Sequence, residues 1–327
     1  MEAWADSRFT GPFTSFEASI LRAHDPALPM WGASFPMWAE GAPENRVSGA
    51  GWTEQEAKRA CIGEAIERLQ PAPLTQDRFV ESSFSNWPLA EPAIGPDRWV
   101  MFHPDQFRWP GFPFEPFTRE TVCRWYACRD AQTGMPAWVP EEMIFLNPRA
   151  GHRHRLCAGV TTGLAAGPHE FHVLLRGLQE VIERDSVVGA WWNRYPIEEW
   201  PADAVFARLG HSVAQRLQRP NLRYRFYRVR TPFSDHVTFV RLDGDDREGF
   251  CFSIGSACRE TRIESWRKAL LEAVQGRHYV RYLQTQPDPV RLPVDFAEHA
   301  VYYSRHPDLL RRTVLDRPEP VADNRNG

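Results

Sequence analysis

Apolar and polar positions alternate along this chain in a way that predicts short strands separated by three long helices. Residues 1–50 are rich in Pro, Gly and aromatics, as in "TGPFTSFEA" and "PALPMWGASFP", and read as short strands and turns. The stretch "TEQEAKRACIGEAIERLQ" predicts a helix, with Thr53 as N-cap, Glu56 completing a capping box and Pro71 ending it. Residues 71–150, which include "WPGFPFEPF" and "PAWVPEE", are too proline-rich for long helices and predict strands and loops. A second helix follows "TTGLAAGPHE" and runs to about Trp191, with Phe171, Leu174, Leu175, Leu178 and Ile182 on the one stripe by which an amphipathic helix meets its core. Residues 222–241 predict two strands, and "REGFCFSIGSAC" a third. A third long helix spans roughly 259–284 and a short one 293–303, while "RPEPVADNRNG" predicts disorder. The class is α+β, or mixed α/β, in a single domain over 1–316 with a tail at 317–327.

Composition narrows the function. Hydrophobic residues make up 43% and charged residues 25%, with no apolar run of the roughly 18 residues a membrane span requires. The opening "MEAWADSRFTG" lacks the basic and apolar regions of a secretory signal, so the expected compartment is the cytoplasm. Six cysteines without a C-x-x-C suggest reduced thiols. A net charge of −3 offers no general attraction to nucleic acid. Lysine occurs only at Lys58 and Lys268, neither after a glycine, which excludes a Walker A loop.

One pattern recurs. "GEAIERL" and "GLQEVIERDS" each contain E-x-x-E-R, as Glu64, Glu67 and Arg68 and, 116 residues later, as Glu180, Glu183 and Arg184. Residues three and four apart share a helix face, so each triad projects together. Such triads also occur as ordinary solvated pairs of about 0.3–0.5 kcal/mol. Here the neighbours are small or apolar, and a small residue (Ala60 or Cys61; Gly177) precedes each first glutamate by about one turn, where it lets something approach the backbone. Two facing carboxylate pairs repel unless a cation sits between them. Hard oxygen ligands suit Mg²⁺, which draws its remaining ligands from water and phosphates. The pattern thus points to a Mg²⁺–nucleotide site, with arginines reaching phosphate oxygens.

Three segments resemble the YcaO family: "SGAGWTEQEAKRACIGEAIER", "TTGLAAGPHEFHVLLRGLQEVIERD" and "RKALLEAVQGR", similar in order to its glycine-rich turn and E-A-x-E-R helix, its S-N-G-L-A-A-G turn and G-L-x-E-x-x-E-R-D helix, and its A-L-x-E-A-x-Q-S-R helix. "RFTGPFTSFEA" and "DFAEHAVYY" extend the likeness over about residues 8–305, the latter segment favouring the azoline-forming members. The resemblance implies an ATP-binding fold without a P-loop. Glu64, Glu67, Glu180 and Glu183 would hold Mg²⁺, Arg68 and Arg184 would lie near the phosphates, and Thr162, Lys268, Glu272 and Gln275 would complete the nucleotide pocket. It further implies phosphorylation of a peptide amide oxygen after a Cys, Ser or Thr nucleophile has added to the carbon, leaving an azoline in a ribosomally made peptide. Thioamide formation is the related chemistry, and a non-catalytic scaffold or partner subunit is the competing reading. A precursor peptide, a leader-binding or E1-like protein and a second copy of the chain are the implied partners.

The chain departs from the family's pattern at Ala50 (usually Lys), Cys61 (usually Ser), Thr162 (usually Asn) and His172 (usually Glu). It also stops soon after "DFAEHAVYY", without the proline-rich tail of the azoline-forming members, and "RPEP" is not that motif. Two further groupings have ordinary explanations. His152, His154 and Cys157 have metal-ligand spacing but are flanked by arginines, which favours a basic loop over zinc. Cys251 and Cys258 read as core residues, and "WWNRYP" as packing or a subunit contact.

Overall fold

The computed structural model describes residues 11–36, 45–69, 79–146, 155–288, 292–293, 295–316 and 318–320. By compactness the chain forms two units, one of residues 1–65 with 162–327 and the other of residues 66–161.

The first unit carries two sheets. Strands β1 (Ser15–Ala18), β2 (Met30–Phe35) and β3 (Asn45–Ala50) form an antiparallel sheet, with Met30 opposite Ala50. The larger sheet runs β10 (Gly249–Ala257), β9 (Thr238–Asp246), β8 (Arg223–Val229), β7 (Ile197–Trp200) and β11 (Glu319–Pro320), antiparallel except for the β7–β11 pair. Successive strand residues face opposite sides, so β8 feeds two cores. Tyr224 and Phe226 join Val240, Leu242, Trp266, Leu270 and Val274, whereas Tyr227 and Val229 join Phe239, Phe252, Ala190 and Leu315.

Three long helices complete this unit's framework: α1 (Glu54–Leu69, whose last residues pass into the second unit), α2 (Glu170–Asn193) and α5 (Arg262–Gln284). The predicted capping box of α1 is present. Glu56 N–H donates to Thr53 Oγ1 at 3.2 Å and Thr53 N–H to Glu56 Oε2 at 3.2 Å. Thr261 caps α5 in the same way, accepting from Glu264 N–H at 3.2 Å. Helix α5 lies against β10 at Gly255, where a Cβ would come within 2.2 Å of the Ala269 carbonyl oxygen.

The short helix predicted at 293–303 is α6 (Phe296–Arg305). Two helices were not legible in the sequence, α3 (Ala202–Leu209) and α4 (His211–Leu217), joined by Gly210 at φ +95°. Pieces this short are marginal alone. Burial of Val205, Phe206, Leu209, Val213 and Leu217 against the sheet holds them. Within the stretch expected to be disordered, Glu319–Pro320 pair in parallel with β7, while residues 317 and 321–327 lie outside the described residues.

The apolar stripe of α2 corrects the expectation drawn from it. Phe171, Leu174 and Leu178 are exposed, as are Val181, Val188 and Trp192 further along, and Leu175 and Ile182 are only part-buried. The buried positions are Gly177, Gln179, Glu183, Ser186, Gly189 and Ala190. Small and polar residues fill the fully buried positions, Ile182, Val187 and Trp191 pack part-buried against the core, and the exposed large apolar residues turn outward.

In the second unit, β4 (Phe79–Ser82), β5 (Cys123–Arg129) and β6 (Pro136–Pro140) form an antiparallel sheet, with turns and short 3₁₀ segments between. Its centre is Trp125, fully buried, its ring tilted by 60° against Trp87 at 5.3 Å, and donating to the Ser82 carbonyl oxygen at 2.8 Å.

Candidate functional site

Both E-x-x-E-R helices are built for close backbone approach. On α1 the buried residues Ala57, Cys61 and Ala65 recur every four positions. Strand β3 lies directly on that face at Gly49, where a Cβ would sit 2.2 Å from the Cys61 nitrogen. Beside it Ser48 N–H donates to Glu64 Oε2 at 3.4 Å. On α2 a Cβ on Gly177 would sit 2.6 Å from the Gly163 carbonyl oxygen. Gly163, at φ +89°, donates its N–H to Glu180 Oε2 at 3.3 Å. What approaches the small residue preceding each first glutamate is therefore the chain's own glycine-bearing backbone, strand β3 at Gly49 on α1 and the Gly163 turn on α2, which the glutamate then holds through a backbone amide.

The second glutamate of α2 is the most enclosed. Glu183 is 4% exposed, its Oε1 accepts from Ser256 Oγ at 2.6 Å and its Oε2 from Cys258 N–H at 3.2 Å. Burial, reinforced by the neighbouring charge of Glu272, pushes its carboxyl up to about 7 against the opposing pull of Ser256, Arg184 and Arg259. Arg184 lies 3.8 Å from Glu180 and 3.9 Å from Glu183.

Helix α5 joins the two halves. Its Gln275 side chain donates to Ser48 Oγ at 2.7 Å and to the Ser48 carbonyl oxygen at 3.1 Å. One turn earlier, Glu272 Oε2 accepts from Ser256 N–H at 3.4 Å, and Lys268 Nζ lies 3.1 Å from Glu272 Oε1. Within the first unit the structure thus links Glu64, Ser48 and Gln275 on one side with Glu272, Ser256 and Glu183 on the other. Glu180 and Arg184 stand on the same helix as Glu183, and exposed Thr162 precedes Gly163 in its turn. Glu67 and Arg68 are part-buried in the last turn of α1, on the second unit's side of the division.

Three of the residues that depart from the family pattern are closely packed. Ala50 is 7% exposed and belongs to the core that includes Leu28 and Met30. Cys61 is fully buried, and desolvation followed by the charge of Glu64 pushes its thiol up to about 12, so it packs as a neutral group. His172 sits over the glycine turn, with Nδ1 2.5 Å from where a Cβ on Gly167 would be. Cys251 and Cys258 are buried, as expected of core cysteines. Trp191 packs edge-on against Tyr303, whereas Trp192 is exposed. Cys157 Sγ donates to the Glu142 carbonyl oxygen at 3.3 Å, and His152 and His154 lie outside the described residues.

Among the described residues no three His, Cys, Asp or Glu side chains gather closely enough to hold a metal by themselves. Mg²⁺ carried on phosphates is usually held by one or two protein carboxylates and completed by water and phosphate oxygens. The donor chemistry fits as well. Glu183 and Glu272 are carboxylates close enough to repel one another, and a cation between them would relieve that repulsion.

The family model described as YcaO cyclodehydratase, ATP- and Mg²⁺-binding, matches residues 48–325. No curated protein matches the chain. Several solved structures share its fold. A heterocyclase in complex with substrate and cofactor superposes with a TM-score of 0.71 at 17% identity, over 98% of this chain and 46% of that one. YcaO from Methanopyrus kandleri bound with AMPPCP and Mg²⁺ gives 0.60 at 18% identity, over 94% and 70%. The E. coli microcin synthetase McbBCD complex with pro-MccB17 bound gives 0.60 at 14% identity, over 94% and 75%. The chain spans about half the length of the heterocyclase it matches. The matched family model makes this an ATP- and Mg²⁺-binding α+β protein. The chain belongs to the YcaO family. No helix among the described residues is long and apolar enough to cross a membrane.

Proposed function

We propose that this chain is an ATP- and Mg²⁺-dependent enzyme that modifies a peptide backbone amide, converting a Cys, Ser or Thr residue of a ribosomally made precursor to an azoline. The observation that carries the reading is the convergence of Glu64, Glu180, Glu183, Lys268, Glu272 and Gln275 from three helices within one compact unit, tied through Ser48 and Ser256. Of the glutamates in the first unit, Glu64, Glu180 and Glu183 would supply the carboxylates that hold the ion, which when bound supplies charge neutralisation for the triphosphate. Arg184 contacts phosphate oxygens, and Thr162, Lys268, Glu272 and Gln275 line the nucleotide.

In the reaction, the substrate's thiol or hydroxyl adds to the carbon of the preceding amide. The resulting amide oxygen takes the γ-phosphoryl group, releasing ADP, and the C–O bond then breaks as phosphate leaves and C=N forms. Phosphorylation is needed because an amide oxygen is a poor leaving group. The protein's task is positioning and charge stabilisation. In this reading a leader-binding or E1-like protein presents the peptide, the enzyme acts in the cytoplasm, and a second copy of the chain is a further partner. Thioamide formation would use the same phosphorylation with a sulfur nucleophile.

A second reading, a non-catalytic partner subunit, is favoured by Ala50, which is core-packed where the family carries a polar group. Isothermal titration with AMPPCP, with and without Mg²⁺, separates the two. Magnesium-dependent binding that disappears in Glu183→Gln supports the enzyme, as does ATP hydrolysis stimulated by precursor peptide and partner. Absence of binding, alone and with partner, supports the subunit.

A further inference from the structure

Ser256 carries neither a charge nor a motif, yet it touches both carboxylates that the sequence placed on separate helices. Its hydroxyl donates to Glu183 Oε1 on α2 at 2.6 Å, and its backbone N–H donates to Glu272 Oε2 on α5 at 3.4 Å. Two residues on, Cys258 N–H donates to Glu183 Oε2 at 3.2 Å. Both oxygens of the buried Glu183 are therefore held from the end of β10, which leaves that side chain one orientation.

The anchoring of this strand end is itself built. Gly255 lets β10 lie against the backbone of α5, where a Cβ would come 2.2 Å from the Ala269 carbonyl oxygen and 2.4 Å from the Ala273 nitrogen, and this contact sets Ser256 beside Glu272. Beyond the strand, Arg259 N–H donates to Ser265 Oγ at 2.9 Å. Glu260 takes Arg176 at 2.8 Å and Gln179 at 3.3 Å, both from α2. Residues 256–260 thus form a strap pinned to α5 on one side and to α2 on the other, with Ser256 where the two helices' carboxylates meet.

We infer that Ser256 is a positioning residue that orients Glu183 and Glu272 as a pair before the metal–nucleotide arrives; this rests on the reading of those carboxylates given under Proposed function. A group that orients a ligand carboxylate is worth about 10–100-fold in metal affinity. It acts by restricting the ligand, so its loss changes the metal requirement more than the shape of the nucleotide pocket.

The test compares Ser256→Thr with Ser256→Val, side chains of nearly the same shape that differ in the hydroxyl, so a packing defect affects both alike. AMPPCP binding to the full chain is measured by calorimetry across a Mg²⁺ series, with melting temperature as a second readout. The expected result is an approximately tenfold higher Mg²⁺ midpoint for Ser256→Val, recovery of the midpoint in Ser256→Thr, and similar melting temperatures for the two without nucleotide. Equal midpoints, or a loss of affinity in Ser256→Val that is the same with and without Mg²⁺, would overturn the inference. Glu183→Gln is run in parallel. Loss of Mg²⁺-dependent binding in Glu183→Gln together with equal Ser256 midpoints removes the inference and leaves the site reading intact. Unaltered Mg²⁺-dependent binding in Glu183→Gln removes both.

Discussion

The two E-x-x-E-R helices share a pattern and differ in what surrounds it. On α1 the small residues Ala57, Cys61 and Ala65 face β3, and Glu64 is part-buried with Ser48 N–H as its described donor. On α2 the fully buried positions are small or polar, Glu183 is nearly sealed from solvent, and two donors hold its two oxygens. At identical spacing the second glutamates thus differ, Glu67 being part-buried and Glu183 sealed in an enclosure that disfavours its charge. Sequence spacing places side chains on a face; the packing around that face decides how strongly each carboxylate needs a cation.

The comparison can be broken most severely at the glycine contacts. Gly177→Ala forces a methyl group against the Gly163 carbonyl oxygen, and about 1–3 kcal/mol of destabilisation is expected, with loss of AMPPCP binding as the turn held by Glu180 is displaced. Chemical denaturation and calorimetry on the same preparation check both. An unchanged protein would mean that the turn is not seated on α2.

Next in size is the contrast between the second helix and the first. Glu183→Gln is expected to weaken Mg²⁺-dependent binding by more than tenfold, about 1.4 kcal/mol, and Glu64→Gln by less, because Glu183 is the more desolvated carboxylate. Neither change disturbs an apolar core, so unfolding free energies should stay within about 1 kcal/mol of the parent. The reverse order of affinities would place the principal ligand on α1.

Gly63→Ala sharpens the glycine argument. A Cβ there meets nothing within 4 Å, so the substitution should stabilise the protein by about 0.5–1 kcal/mol through helix propensity alone. A loss of stability would reveal a contact on α1 that the structure does not show. Smallest of all is the effect at the outer face of α2. Leu178→Ser should change stability by about 0.5 kcal/mol or less, against the 2–5 kcal/mol expected of a large-to-small change in a core. A large loss in urea denaturation would return that stripe to the interior.

Much of the framework was legible in one dimension because it rests on local rules. The Thr53 and Glu56 capping box, the prolines that break residues 71–150 into strands and turns, and the alternation through residues 222–241 act over a few residues each, and the structure follows them. The repeated glutamate triads and the YcaO-like segments were legible for the same reason. The outward turn of the α2 stripe was not. Periodicity finds an apolar face without saying what lies opposite, and here a polar, glycine-bearing face was needed inside. Helices α3 and α4 were too short to show a period and exist because the sheet buries them.

The sequence by itself determined the α+β class, the absence of a P-loop and the helices that present Glu64, Glu180, Glu183, Glu272 and Gln275, since each depends on residue types at short spacing. Only the tertiary structure decided that Gln275 meets Ser48 from 227 residues away, that Ser256 stands between Glu183 and Glu272, and that Glu183 rather than Glu64 is sealed. Those contacts join distant segments, and desolvation belongs to an enclosure that no single segment contains.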